Sequence, residues 1–157
     1  MLLKSMTLTN FRQFNGTQSI NFSVDPEKNV TVIMGENGSG KTTLAQAFTW
    51  CLYGSTDFDD QVVLNKAIAQ NIGPNGESFV QVKITMLHLG VDYTMTREQK
   101  YTTDSTGNLK RANNTVFKIQ YKNTDGQQDF VKDTEVDLRM KEILTKELAK
   151  YFIFDGE

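Results

Sequence analysis

Alternation of hydrophobic and polar residues predicts two β-strands near the start of the chain. Residues 2–9 (LLKSMTLT) alternate loosely, and residues 18–24 (QSINFSV) alternate more regularly. The segment between them, NFRQFNGT, contains the turn signal Asn15-Gly16. An almost continuous apolar run then occupies residues 30–34, within NVTVIMG, and this pattern is typical of a strand buried on both faces.

The following residues predict one helix and then two antiparallel strand pairs. Apolar residues recur at helical spacing over residues 41–53, and Gly54 stands where that helix would end. The predicted strands further along are residues 79–86, 91–96, 116–121 and 129–131. The polar stretch at residues 99–115, between the two pairs, is expected to be a mobile loop.

A final helix is expected near the end of the chain. Asp133 or Thr134 is expected to cap it. Its apolar positions fall on one side and are Val136, Met140, Ile143, Leu144 and Leu148. This helix leads into the closing segment YFIFDGE.

The order of strand, glycine-rich loop and helix predicts an α/β fold, with a mixed sheet around the loop and an antiparallel β subdomain beside it. We expect three parts along the chain: a core at residues 1–60, an antiparallel lobe at residues 75–132, and a helix with its closing segment at residues 133–157.

Composition limits the class of protein. The 157 residues are 38% hydrophobic and 23% charged, as in an ordinary globular domain. No apolar run approaches the roughly 18 residues that a membrane span requires. A net charge of -2 gives no overall basic surface, so any contact with nucleic acid would be local. Cys51 is the single cysteine, and with the alternating N-terminal segment it predicts a reducing, cytoplasmic location.

The sequence GENGSGKT, at residues 35–42, matches the P-loop pattern G-x-x-x-x-G-K-[ST]. It lies between a predicted strand and a predicted helix, which is the context that this motif requires. Small residues are needed there because successive backbone N–H groups must turn inward around phosphates. The motif therefore predicts a nucleotide site.

Each residue type in the loop has an expected role at that site. Lys41 is expected to reach the β- and γ-phosphates, and the Thr42 hydroxyl to bind Mg²⁺. Thr43 is expected to reach the α-phosphate, and the helix N-terminus adds partial positive charge. The residues expected to hold the nucleotide through this loop are Gly38, Ser39, Gly40, Lys41, Thr42 and Thr43.

Segments on both sides of the loop resemble a known family. LTNFRQF and GENGSGKTTL resemble the SMC-like ATPases of DNA repair and defence, whose ABC-type heads are split by a long coiled coil. More narrowly, VVLNKA and KELAKYFIFDGE, at residues 62–67 and 146–157, resemble the DndD-type ATPase of bacterial DNA phosphorothioation systems.

The resemblance implies that the chain is the N-terminal lobe of a split head that uses ATP and Mg²⁺. Arg12 would contact the nucleotide phosphates, and Asn37 would hold the loop near the γ-phosphate. Hydrolysis would require a C-terminal lobe and a second head in a homodimer, and would be coupled to DNA. The chain alone is therefore expected to hydrolyse ATP negligibly.

Three interpretations of YFIFDGE stay open. A Walker B strand would supply a magnesium-binding Asp155, but Gly156 separates it from Glu157 and no segment resembling LSGG precedes it. The resemblance instead favours the Q-loop, where Asp155 would replace a glutamine and could approach Mg²⁺. The third interpretation is a buried strand that ends at a solvent-facing turn.

One further feature and two alternative functions stay open. Residues 97–122 carry an excess of four positive charges, which fits a solvated loop or a local contact with the DNA backbone. A self-contained small P-loop kinase or switch is an alternative, although neither a lid nor a complete set of acids is evident. A nucleotide-dependent interaction module is another.

Overall fold

The computed structural model describes residues 1–123 and 125–153. Within them, six strands form one antiparallel sheet in the order β2-β1-β3-β4-β5-β6. The strands are β1 (Leu2–Thr9), β2 (Thr17–Asn21), β3 (Glu77–His88), β4 (Val91–Thr103), β5 (Leu109–Lys122) and β6 (Gln128–Phe130). The predicted division of the chain into three parts stays a prediction.

Helix α1 (Lys41–Tyr53) has the predicted bounds. It ends at Gly54, which has a left-handed φ of 71° and donates its N–H to the carbonyl oxygen of Trp50 at 2.8 Å. Three shorter helices follow: α2 (Lys66–Asn71), α3 (Val136–Ile143) and α4 (Lys146–Ala149). No helix in the described part of the chain has the length and apolar character to cross a membrane.

The two faces of the sheet differ because side chains alternate along each strand. One cross-strand row consists of Ile20, Met6, Ile84, Met95 and Ile119, of which the last four are fully buried. The adjacent row, on the opposite face, consists of Ser19, Thr7, Lys83, Thr96 and Lys118. Helix α1 covers the apolar face, where the Cys51 thiol donates to the Val82 carbonyl oxygen at 3.3 Å.

The prediction of a loop at residues 99–115 is wrong. Strand β4 continues to Thr103 and β5 begins at Leu109, so a short turn joins two long strands. The polar residues extend the strands because they find partners: Gln99 is buried and donates to the Ala112 carbonyl oxygen at 2.8 Å, and Tyr101 is buried.

The prediction of a buried strand at residues 30–34 is also wrong for this structure. Val30, Val32 and Met34 are 77%, 76% and 88% exposed, and no strand in the described residues pairs with the segment. A strand needs neighbours for its backbone groups and its apolar side chains, and the sheet places none beside this segment.

The last predicted helix is interrupted. A 3₁₀ turn at Asp133–Glu135 precedes α3, and Leu144 is extended before α4 begins. Glu135, without a side-chain cap, therefore occupies the position predicted for Asp133 or Thr134. Of the predicted apolar positions Leu148 is 52% exposed, while Val136, Met140, Ile143 and Leu144 are buried.

Candidate nucleotide-binding site

The loop at residues 35–40 turns tightly around its own backbone. Gly38 and Gly40 have left-handed φ angles of 82° and 106°, which disfavour any residue with a Cβ. A Cβ on Gly35 would lie 2.5 Å from the Ser39 hydroxyl oxygen. The Ser39 N–H donates to the Glu36 carbonyl oxygen at 3.1 Å, which closes the turn. The glycines are thus required by the geometry of the loop.

The Lys41 ammonium lies against the loop. Its Nζ donates to the carbonyl oxygens of Gly35 at 2.9 Å and Glu36 at 3.1 Å. An ammonium carries three donors, so the third can serve an anion while the other two keep the charge in place. Lys41 is therefore a fixed positive charge at the start of α1.

The N-terminus of α1 faces the same loop. Gly40 is its N-cap and supplies no side-chain acceptor, so the first N–H groups of the helix are not capped by a side chain there. The helix dipole adds partial positive charge at this end. Together with Lys41, these groups form the donor-rich environment that a phosphate group requires.

The turn after β1, residues 10–14 (NFRQF), is fastened to the segment at residues 62–65. The N–H of Arg12 donates to the Val63 carbonyl oxygen at 2.8 Å, and Asn65 Nδ2 donates to the Arg12 carbonyl oxygen at 2.5 Å. Asn10 and Arg12 have left-handed φ angles of 58° and 49°, which cost roughly 1–2 kcal/mol per residue. These hydrogen bonds offset that cost.

The Arg12 side chain binds protein groups. Its Nη1 lies 2.8 and 3.1 Å from the two carboxylate oxygens of Asp60 and 2.7 Å from the Val62 carbonyl oxygen, and its guanidinium lies 4.3 Å above the Phe58 ring centre. Desolvation acts to raise the pKa of Asp60, but the Val62 N–H and the charge of Arg12 outweigh it and lower that pKa. The phosphate contact of Arg12 stays a prediction.

Gln13 belongs to the site although the sequence analysis did not select it. The Thr43 hydroxyl donates to Gln13 Oε1 at 2.9 Å. A Cβ on Gly40 would lie 2.7 Å from Gln13 Nε2 and 2.9 Å from the Phe14 ring. The available signal was its position in NFRQF, the segment already selected for Arg12.

Comparison with known proteins decides the family. Residues 5–157 match the AAA_23 family, which is described as an AAA domain. The chain belongs to the AAA_23 family.

Among curated proteins, it is similar to DNA double-strand break repair Rad50 ATPases from two archaea. Identity is 30% over 99 residues with the Methanococcus maripaludis protein, covering 63% of this chain and 9% of the relative. It is 28% over 99 residues with the Methanocaldococcus jannaschii protein, covering 62% and 8%.

A solved structure gives the same assignment. The SMC head domain from Thermotoga maritima matches this AAA_23 chain with a TM-score of 0.53 and 26% identity, over 88% of this chain and 42% of that one. The predicted fold class, the N-terminal lobe of a P-loop ATPase head with antiparallel β structure, is confirmed. The mixed sheet expected around the loop is wrong, because every strand pairing in the described residues is antiparallel and belongs to one sheet. The chain is thus an SMC- and Rad50-like ATPase head segment, and it spans less than a tenth of the length of those curated relatives.

The remaining predicted residues of this AAA_23 site are less well defined. Asn37 is exposed in the turn of the loop, and its contact with the γ-phosphate region stays a prediction. Asp155 and Glu157 lie outside the described residues, so the three interpretations of YFIFDGE stay open. Within residues 1–123 and 125–153, no cluster of three or more His, Cys, Asp or Glu side chains is arranged to hold a metal ion.

Proposed function

We propose that this chain is the ATP-binding half of an SMC-like ATPase that acts in DNA repair, modification or defence. The observation that carries the proposal is the position of the Lys41 ammonium, held by two loop carbonyl oxygens at the N-terminus of α1. Lys41 would hold the phosphates, and Thr42 would bind Mg²⁺. Bound ATP with Mg²⁺ supplies the phosphoanhydride bond that the complete enzyme cleaves.

The other proposed contacts surround that charge. Gly38 and Gly40 would donate backbone N–H groups, and Thr43 would reach the α-phosphate. The Ser39 N–H would join them by giving up its bond to the Glu36 carbonyl oxygen. Arg12 and Asn37 would approach the outer phosphates, and Asp155 would approach the metal. The left-handed backbone at Gly38 and Gly40, which glycine adopts without strain, fits a loop that holds a phosphate chain through backbone groups.

We propose that a C-terminal lobe covers the segment at residues 30–34. Consecutive apolar side chains that are largely exposed, directly before the P-loop, are the surface that an additional strand would bury. A strand from that lobe would give the segment the neighbours that its sequence pattern requires. A second head, in a homodimer, would then place further hydrogen-bond donors opposite the P-loop.

Hydrogen–deuterium exchange tests this arrangement. Addition of the C-terminal lobe should slow exchange of the amides at residues 30–34, while the β3 amides, already paired on both sides, change little. Unchanged exchange at residues 30–34 in a mixture that forms a complex would contradict the proposed contact.

Hydrolysis is proposed to depend on both the C-terminal lobe and the second head. The chain alone should turn over ATP negligibly, because a water-orienting acid and opposing donors are supplied elsewhere. Adding the C-terminal lobe should give ATP-dependent dimers by mass and measurable turnover, and Thr42→Ala should abolish both. Turnover by the chain alone that survives Thr42→Ala would contradict this mechanism.

A DNA contact is proposed on the sheet face opposite α1. Lys83 and Lys118 lie in one cross-strand row with Thr7 and Thr96, and both lysines are exposed. Exposed ammonium and hydroxyl groups are typical donors to phosphate oxygens. Arg97, counted in the basic excess, is instead engaged with the carbonyl oxygens of α1.

Charge reversal tests this surface in the complete protein. Lys83→Glu with Lys118→Glu should weaken DNA binding and reduce its salt dependence. The matched control is Lys132→Glu with Lys141→Glu, which makes the same change in net charge at exposed positions outside the sheet. Equal losses in the two double variants would contradict a local contact.

The resemblance of VVLNKA and KELAKYFIFDGE is the basis for a narrower proposal, that the protein is a DndD-type ATPase of DNA phosphorothioation systems. We also propose a cytoplasmic location. Stimulation of the complete ATPase by phosphorothioated DNA over unmodified DNA of the same sequence would support it, and equal stimulation would favour a general repair role. The similarity to head ATPases favours this class over a self-contained kinase, switch or interaction module.

A further inference from the structure

The Gln13 carboxamide lies at the mouth of the P-loop. It lines a cavity of about 100 Å³ together with Gly38, Gly40, Lys41, Thr42 and Thr43. Its Oε1 accepts a hydrogen bond from the Thr43 hydroxyl at 2.9 Å, and its Nε2 faces Gly40. One side chain from a distant part of the sequence thus holds a group that the proposed nucleotide site also uses.

A hydroxyl donates a single hydrogen bond, so Gln13 and a nucleotide phosphate compete for the Thr43 hydroxyl. Thr43 cannot donate to Gln13 Oε1 and to a phosphate oxygen at the same time. A bond from the hydroxyl to a charged phosphate is stronger than one to a neutral amide, so the nucleotide prevails. Binding nevertheless has to break the Thr43–Gln13 bond first.

We propose that Gln13 is a positioning residue that lowers nucleotide affinity: its amide retains the Thr43 hydroxyl and releases it only when a nucleotide phosphate takes its place. This inference rests on the proposed function of the P-loop. Gln13 is exposed, so its released amide returns to water without an unsatisfied buried group.

Two substitutions at Gln13 should change ATP affinity in opposite directions. Gln13→Ala removes the competing acceptor and should tighten binding about two- to tenfold, the range expected for one net hydrogen bond. Gln13→Glu keeps an acceptor for Thr43 and adds a negative charge beside the phosphates, so it should weaken binding by about tenfold or more. A purely structural role would give losses in both variants.

The test is isothermal titration of the chain with ATP and Mg²⁺, in the single variants and in a double-mutant cycle with Thr43→Val. In the Thr43→Val background, Gln13→Ala should change the affinity by less than about twofold, because there is no hydroxyl to compete for. Thermal unfolding of each variant checks that it is folded.

The outcomes separate the two proposals. ATP binding by the unmodified chain with equal or weaker binding by Gln13→Ala overturns the role of Gln13 and leaves the nucleotide site standing. No ATP binding by the unmodified, folded chain overturns the proposed function and this inference together. Tighter binding by Gln13→Ala that persists in the Thr43→Val background also overturns it, because the effect would not pass through Thr43.

Discussion

The side-chain amide of Asn65 donates a hydrogen bond of 2.5 Å to the backbone carbonyl of Arg12, across 53 positions of the chain. The same side chain accepts from the Ile68 N–H at 3.2 Å and so caps α2. Asn65 is 6% exposed and uses both its donor and its acceptor. One asparagine therefore joins the start of α2 to the turn that faces the P-loop.

Replacing Asn65 separates these two roles. Asn65→Asp keeps the cap acceptor but removes the donor to Arg12, and should lower the free energy of unfolding by about 1–3 kcal/mol. Urea denaturation measures this change. Asn71→Ala is the control, because Asn71 is exposed and, among the described residues, its side chain bonds to Ala67 of its own helix. Equal stability of Asn65→Asp and the unmodified chain would contradict the linking role.

Asp60 should weaken nucleotide binding through Arg12. The carboxylate neutralises the guanidinium, so Asp60→Asn should tighten ATP binding by up to about fivefold, as expected for one partly exposed ion pair. Asp59→Asn makes the same charge change at the adjacent, exposed position and serves as the control. Equal effects of the two variants on the dissociation constant would show a general charge effect without a specific role for Arg12.

Arg97 should stabilise the junction between α1 and the sheet. Its Nε donates to the Cys51 carbonyl oxygen at 2.8 Å, and its guanidinium lies 4.4 Å from the Phe117 ring centre. Arg97→Met would leave the last carbonyls of α1 without this cation and should cost about 1–3 kcal/mol in the free energy of unfolding.

The control for Arg97 is Arg111→Met, at an exposed position of β5. It should change stability by less than about 0.5 kcal/mol in the same urea titration. If Arg111→Met lowers the free energy of unfolding as much as Arg97→Met does, the effect comes from removing a positive charge from a strand, and the bond to α1 has no specific role.

Alkaline pH should destabilise the fold through Cys51. Burial raises the pKa of its thiol from 9.0 to about 12, an effect that the charge of Arg97 only partly opposes. Below pH 9 both folded and unfolded states keep the proton; above it the unfolded state loses the proton first, so stability falls as pH rises. Between pH 9 and 10, the slope due to Cys51 should rise from about 0.7 to about 1.2 kcal/mol per pH unit. The raised pKa values of Tyr53 and Tyr101, ordinarily 10.0, add a smaller slope of the same sign.

Cys51→Ala should remove most of that slope in urea titrations at pH 9 and 10, even though the substitution itself lowers stability slightly. Retention of the full slope in this variant would assign the pH dependence to other groups.

Local patterns were sufficient for the P-loop and α1. The glycines, Lys41 and the helical spacing act within one short stretch, and Gly54 ends the helix through its own left-handed φ. The positions of Arg12 and Gln13 relative to the P-loop could not be predicted from local sequence patterns. They depend on the bonds from Val63 and Asn65, which no local pattern encodes.

The wrong predictions have tertiary causes. The polar residues at 99–115 predicted a loop. They extend two strands instead, because the strands pair with each other and bury Gln99 and Tyr101. The apolar run at residues 30–34 has a strand pattern, yet a strand forms only where neighbours pair with it. That exposed strand pattern is the basis for the proposed contact with a C-terminal lobe.

The most direct test of the central claim is an equilibrium titration of the chain with ATP and Mg²⁺. The unmodified chain should bind, and Lys41→Ala should weaken binding about tenfold to a hundredfold because a charged hydrogen bond to the phosphates is lost. Lys66→Ala, an exposed lysine at the start of α2, is the matched control and should bind as the unmodified chain does. No binding by the folded chain, or equal binding by Lys41→Ala, would contradict a nucleotide site in this P-loop.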